Sequence, residues 1–213
     1  MRVKVCGMTE LEQVRQLDAM GVDFAGFIFY PKSPRYVVRH LTGEAVKRAK
    51  LRLGKVGVFV NAEYDELMRH VDAYGLDMVQ LHGDETPRFC EQVANYISVI
   101  KVFRLGEDDP IEWLIRPYQD SSDMFLFDTE GVGYGGTGKK FNWDSLKQAH
   151  IDKLFFLSGG IEPGDTERLK AFAKEPVARK MFSIDINSKF EVSAGVKDLK
   201  KVRAFLDEVK GNG

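Results

Sequence analysis

Cysteine, histidine and tryptophan are scarce in this chain. Among 213 residues there are two cysteines, four histidines and two tryptophans. Cys6 and Cys90 fit no metal-ligand spacing, so no metal site is expected and the thiols are expected to stay reduced. No stretch of about 18 apolar residues occurs, which argues against a transmembrane helix. Charge of one sign is missing too. The 31 basic residues are balanced by 32 acidic ones, leaving no electrostatic case for nucleic acid or an acidic membrane surface. The opening Met1-Arg2-Val3-Lys4 has neither the apolar centre nor the cleavage site of a signal peptide, and a cytoplasmic enzyme is expected. Linkers, low-complexity tracts and short tandem repeats are absent from the sequence.

Against these absences stands a hydrophobic share of 44%, ample for a core. It is distributed in eight short apolar runs, each followed by a Gly-rich or polar turn and a helix-like stretch. The runs fall at residues 3–6, 24–29, 55–60, 77–81, 98–103, 124–128, 154–158 and 182–186. Most lack polar alternation, the mark of parallel strands covered on both faces. Helix punctuation lies between them. Thr9-Glu10-Leu11-Glu12 has the form of a capping box, and Gly21 suits the position just past a helix end. Thr86-Pro87 and Asp109-Pro110 each set a capping side chain before a proline fit for the first turn. Asn142 is placed to cap a helix from Trp143 to about His150, and a last helix is expected over 196–210.

Eight strand–helix units predict a compact (β/α)₈ TIM barrel spanning residues 1–213 as one domain, with short loops. An open doubly wound sheet would have fewer strands and a G-x-G-x-x-G turn after the first. Here that turn is Cys6-Gly7-Met8-Thr9, with one glycine. A near match to a nucleotide-binding P-loop, Gly133 to Lys140, ends in a lysine where a hydroxyl is needed for Mg²⁺. It reads instead as a flap over the barrel mouth.

Barrel chemistry sits at the carboxyl ends of the strands, and phosphate is commonly held after strands 7 and 8. Those loops here contain Ser158-Gly159-Gly160 and Asp185-Ile186-Asn187-Ser188. Glycines let backbone N–H groups approach an anion, and a helix start adds unpaired donors. In a closed ring, strands 6, 7, 8 and 1 are neighbours. A ligand pinned by loops 7 and 8 is then flanked by Asp128, ending strand 6, and Cys6, ending strand 1. A carboxyl raised by burial is suited to deliver a proton, and a thiol is suited to remove one. His82 ends strand 4 and is placed either to touch the ligand or to support a loop. Arg35, in the Pro-stiffened loop after strand 2, has the planar fork that binds a carboxylate. Cys90 reads as packing, and His40, His70 and His150 as solvated. The expected partner is a small phosphorylated molecule, with no nucleic acid and no membrane; nothing in the sequence sets the oligomeric state.

Several segments carry a resemblance. Lys4-Val-Cys-Gly-Met-Thr9, Gly26-Phe-Ile-Phe-Tyr-Pro-Lys-Ser-Pro-Arg-Tyr-Val37, Val79-Gln-Leu-His-Gly-Asp-Glu85, Asp128-Thr129, Gly135-Gly-Thr-Gly-Lys139, Leu157-Ser-Gly-Gly160 and Asp185-Ile-Asn-Ser188 occur in order along nearly the whole chain. With Val56-Gly-Val-Phe-Val-Asn61 they resemble the phosphoribosylanthranilate isomerases of tryptophan biosynthesis. The resemblance implies a (β/α)₈ barrel and an Amadori rearrangement of N-(5-phosphoribosyl)anthranilate, an aldose–ketose isomerisation without a cofactor. It implies Asp128 as acid, Cys6 as base, and Arg35 on the anthranilate carboxylate. Gly159, Gly160, Asp185 and Asn187 would grip the phosphate, mainly through the backbone. The pattern departs at Ala194, where proline is usual, and at Lys189 and Phe190. A related histidine-biosynthesis isomerase would carry an aspartate where Cys6 stands. A non-catalytic phosphoribosyl-binding barrel would need neither Cys6 nor Asp128.

Overall fold

In the computed structural model, which describes residues 1–106, 108–129 and 142–211, eight parallel strands close into a barrel. The strands are β1 (Val3–Val5), β2 (Phe24–Ile28), β3 (Gly54–Phe59), β4 (Met78–Leu81), β5 (Ser98–Leu105), β6 (Met124–Thr129), β7 (Phe155–Leu157) and β8 (Met181–Ile186). Each pairs with the next, and β1 closes on β8 with Lys4 opposite Asp185. The helices α1 (Leu11–Ala19), α2 (Gly43–Arg48), α3 (Tyr64–Tyr74), α4 (Pro87–Ala94), α5 (Ile111–Ile115), α6 (Thr166–Phe172) and α7 (Leu199–Lys210) fill the connections. The loop 133–140, read from sequence as a flap, lies outside the described residues.

Side chains alternate across each strand, so the strands build two layers. One parity points outward under the helices: Val3, Val5, Phe27, Phe125, Phe127 and Phe155 are all fully buried there. The other parity fills the barrel. At its amino end Val56, Ile100, Leu126 and Phe156 form an inner plug with Phe24 and Phe182. The rings of Phe24, Phe156 and Phe182 meet at centroid distances of 5.4–5.8 Å. Arg2 lies over the Phe182 ring at 4.5 Å. Burial of each such ring contributes about 1.5–3 kcal/mol, so the plug anchors the strands and leaves the opposite end free for polar groups. A register shift in β8, where Phe155 pairs with Met181 but Phe156 with Ser183, lets both Phe182 and Asp185 face inward.

Helix boundaries follow the sequence signals where the capping group has no stronger partner. Thr86 Oγ1 accepts from Phe89 N, with Pro87 opening α4. Asn142 caps as expected, but over a tight 3₁₀ segment, Trp143–Gln148, in place of an α-helix. Two expected caps are corrected. Thr9 Oγ1 donates instead to Gly195 O at 2.7 Å, and α1 starts from Glu10 with no side-chain cap. Asp109 Oδ2 accepts from Gly106 N at 2.8 Å, and Pro110 precedes α5. The last helix starts later than expected. Val196–Lys197 (β10) instead pairs antiparallel with Glu191–Ser193 (β9), and Asp198 then caps α7 through Lys201 N. Among the described residues no helix is long and apolar enough to cross a membrane.

Candidate active site

The inward parity that forms the plug continues upward into a pocket at the carboxyl ends. Cys6, Gln80, His82, Asp128, Asp185 and Asn187 all line it. Lys4 and Cys6 lie two apart on β1 and its extension, as do Gln80 and His82, Leu126 and Asp128, and Asp185 and Asn187. In each pair the lower residue faces the interior and the upper one the mouth. Cys6 is 5% exposed, and its backbone N–H continues the β1–β8 ladder to Ile186 O.

Burial pushes the Cys6 thiol up, against the pull of the Lys4 ammonium, which also hydrogen-bonds the sulfur. Lys4 is fully buried and bound to Asp185 Oδ1 at 2.9 Å. Burial works against its charge, but Asp185 and Cys6 outweigh it and raise the lysine's pKa. The cation therefore stays in place beside the sulfur. Lys4 was not singled out from the sequence, although a lysine inside an apolar strand at the parity of Cys6 was the signal.

Asp128 faces the other side of the pocket. Burial raises its carboxyl from the ordinary range to about 6, while the Thr129 N–H and the Ser158 hydroxyl donate to it. The Thr129 contact is 2.8 Å to Oδ1. His82 Nε2 lies 3.5 Å from Oδ2. Burial, with Lys4, Arg104 and Lys101 nearby, lowers His82 to about 3, so the ring is neutral at working pH. Gln80 Nε2 sits 3.1 Å from His82 Nδ1. With that amide donating, the ring's proton is on Nε2 and points to Asp128. His82 thus joins the pocket and leans on the carboxyl.

Gly159 and Gly160 adopt φ of +91° and +72°, a left-handed stretch that side chains resist, where successive N–H groups turn to one side. Gly160 and Ser188 line the pocket near Asn187. Asp185 lines the pocket, and its carboxylate is bound to Lys4 beside the thiol. Arg35 also lines the pocket, and Glu191 grips its guanidinium. His70 is not solvated as expected; its ring packs on Phe29 at 4.6 Å. His40 and His150 are exposed, and Cys90 is buried in α4. No group of three metal-ligating side chains occurs among the described residues.

A closed parallel barrel with titratable groups converging at its carboxyl mouth defines a (β/α)₈-barrel enzyme. The family is narrower. The model of the N-(5'-phosphoribosyl)anthranilate (PRA) isomerases matches residues 3–208, and the chain belongs to that family. It is 40% identical to the N-(5'-phosphoribosyl)anthranilate isomerase of Parabacteroides distasonis, over 98% of this chain and 93% of the relative. The crystal structure of phosphoribosyl anthranilate isomerase from Thermotoga maritima superposes with a TM-score of 0.84 at 33% identity, covering 99% of each chain. Another solved phosphoribosyl anthranilate isomerase, in complex with reduced 1-(o-carboxyphenylamino)-1-deoxyribulose 5-phosphate, matches with a TM-score of 0.78 at 30% identity, again over 99% of each chain.

Proposed function

We propose that this chain converts N-(5-phosphoribosyl)anthranilate to 1-(o-carboxyphenylamino)-1-deoxyribulose 5-phosphate, with Asp128 as general acid and Cys6 as general base. The observation that carries the reading is the shared pocket: a thiol and a raised carboxyl flank a mouth that also holds Arg35 and the glycine turn after β7. Family membership supplies the reaction.

The steps follow from the charges. The phosphate is held by backbone N–H groups around Gly159, Gly160 and Asn187, and the anthranilate carboxylate by Arg35. Asp128, protonated, gives its proton to the furanose ring oxygen as the C1–O bond breaks. The anilino nitrogen supplies the electron pair and becomes an iminium. That positive nitrogen acidifies the C2 proton, which the Cys6 thiolate removes. The enolamine then takes a proton at C1 as its C2 hydroxyl gives one up, and becomes the ketone. The Lys4 ammonium stabilises the thiolate before this step, and the Asp128 carboxylate left after the first step accepts from Thr129, Ser158 and His82. Both groups need an uncommon state at neutral pH: burial favours the protonated carboxyl of Asp128, and at Cys6 the Lys4 ammonium works against burial to favour the thiolate. The described chain acts as one catalytic unit on a small phosphorylated substrate.

Wild-type protein mixed with freshly generated N-(5-phosphoribosyl)anthranilate is expected to convert many equivalents to the ketone. Tight binding without conversion would identify a ligand-binding barrel instead.

A further inference from the structure

Arg35 is held before any ligand arrives. Its stem runs over Gly7, where an added Cβ would meet Arg35 Cδ at 2.6 Å and Asn187 Oδ1 at 2.8 Å. Gly7 also sits at φ +77°, so this crossing accepts no side chain. One edge of the guanidinium is fully used. Nε donates to Glu191 Oε1 at 2.8 Å and to Oε2 at 3.1 Å, and Nη2 donates to Oε2 at 2.5 Å. Among the described residues Nη1 takes no protein acceptor.

Glu191 is itself saturated. Its side chain is 4% exposed, and Oε1 also receives Lys197 Nζ at 2.7 Å and Gly195 N at 3.1 Å. Burial works against its charge, but the bonds from Arg35 and the neighbouring Lys197 ammonium hold its pKa below the usual carboxylate range. Lys197 Nζ continues to Asn187 Oδ1 at 2.8 Å. The cluster therefore contains two cations and one anion. Lys197 offsets the negative charge that would otherwise repel an incoming carboxylate, and one positive charge remains in surplus. The β9–β10 hairpin that carries Glu191 and Lys197 is fastened to α1 by Gln13, which bonds both Lys197 O and Lys197 N.

We propose that Glu191 is a positioning residue for substrate selectivity: it clamps one edge of Arg35 so that the opposite edge faces the substrate's aryl carboxylate, while Lys197 cancels its charge. The proposal rests on Arg35 being the carboxylate contact. A free arginine would lose side-chain freedom on binding, and the clamp settles that cost in advance.

The test compares the dissociation constants of two ligands, reduced 1-(o-carboxyphenylamino)-1-deoxyribulose 5-phosphate and the same molecule lacking its aryl carboxyl, by calorimetry. Arg35→Ala is expected to abolish the preference for the carboxylated ligand. Glu191→Gln is expected to reduce it about tenfold, within the coupling range of groups in direct contact, and to leave the other ligand's affinity within about twofold. Charge alone predicts the reverse, since Glu191→Gln raises the positive surplus. Glu191→Gln strands Lys197, so Glu191→Gln combined with Lys197→Met serves as a second variant with the original surplus, and it should show the same tenfold loss. An unchanged or larger preference in both Glu191 variants, or equal weakening of both ligands, overturns the proposal. A preference that survives Arg35→Ala overturns the Arg35 reading beneath it.

Discussion

Gly26 and Cys6 are neighbours across β2 and β1, and their contact leaves no room for a methyl group. A Cβ on Gly26 would stand 2.7 Å from Cys6 Sγ and 3.0 Å from Cys6 Cα. Non-bonded heavy atoms settle at about 3.5–4.0 Å, so Gly26→Ala forces the sulfur to move by roughly 1 Å. The overpacking costs about 1–3 kcal/mol of stability, which leaves the barrel folded at moderate temperature. Displacing a reacting group by about 1 Å costs on the order of 100-fold, equivalent to about 2.7 kcal/mol in the barrier. Gly26→Ala is therefore expected to lower kcat/KM about 100-fold while thermal unfolding shifts by only a few degrees. In a Cys6→Ala background the sulfur is gone, and the same substitution should cost much less. Wild-type kcat/KM in Gly26→Ala, or a further 100-fold loss on top of Cys6→Ala, would refute the placement of the base.

Three further outcomes follow from the charges around the pocket. Activity needs Asp128 protonated and Cys6 ionised, so kcat/KM should rise with pH up to about 6, the carboxyl's raised pKa, then hold a plateau until the thiol titrates. In Asp128→Asn the break near pH 6 should vanish; a break that persists would assign it elsewhere. The second concerns stability. The folded state binds the Asp128 proton more tightly than the unfolded chain does, so this stabilisation is complete below the ordinary carboxyl range and lost as pH rises through about 6. Asp128→Asn should thus gain up to about 2–3 kcal/mol at pH 8 and almost nothing at pH 4 in urea unfolding, and equal gains at both would contradict the burial argument. Lys4→Met should lower the plateau rate about tenfold or more, the scale of removing one adjacent charge from the thiolate, and a plateau at the wild-type level would remove Lys4 from the mechanism.

The strand positions were legible because a parallel strand covered on both faces needs a continuous apolar run, and turns interrupt it. Cys6 and Asp128 stood out because each ends such a run with a group that packing does not require. What the sequence hid was set by distant partners. Thr9 looks like a cap in its own segment, but its hydroxyl is taken by Gly195, 186 positions away. Arg35 and Glu191 are separated by 156 positions, and no local pattern links them. The bond between the Asp185 carboxylate and its register partner Lys4 joins residues 181 positions apart, again beyond any local pattern. Lys4 itself was readable by parity alone.

The central claim is that proton traffic across the sugar runs between Cys6 and Asp128. The most direct measurement is kcat on freshly generated N-(5-phosphoribosyl)anthranilate for Cys6→Ser and Asp128→Asn beside the wild type. Each substitution is expected to lower kcat by at least about 100-fold with the fold intact. A rate within about twofold of wild type in either variant would contradict the account.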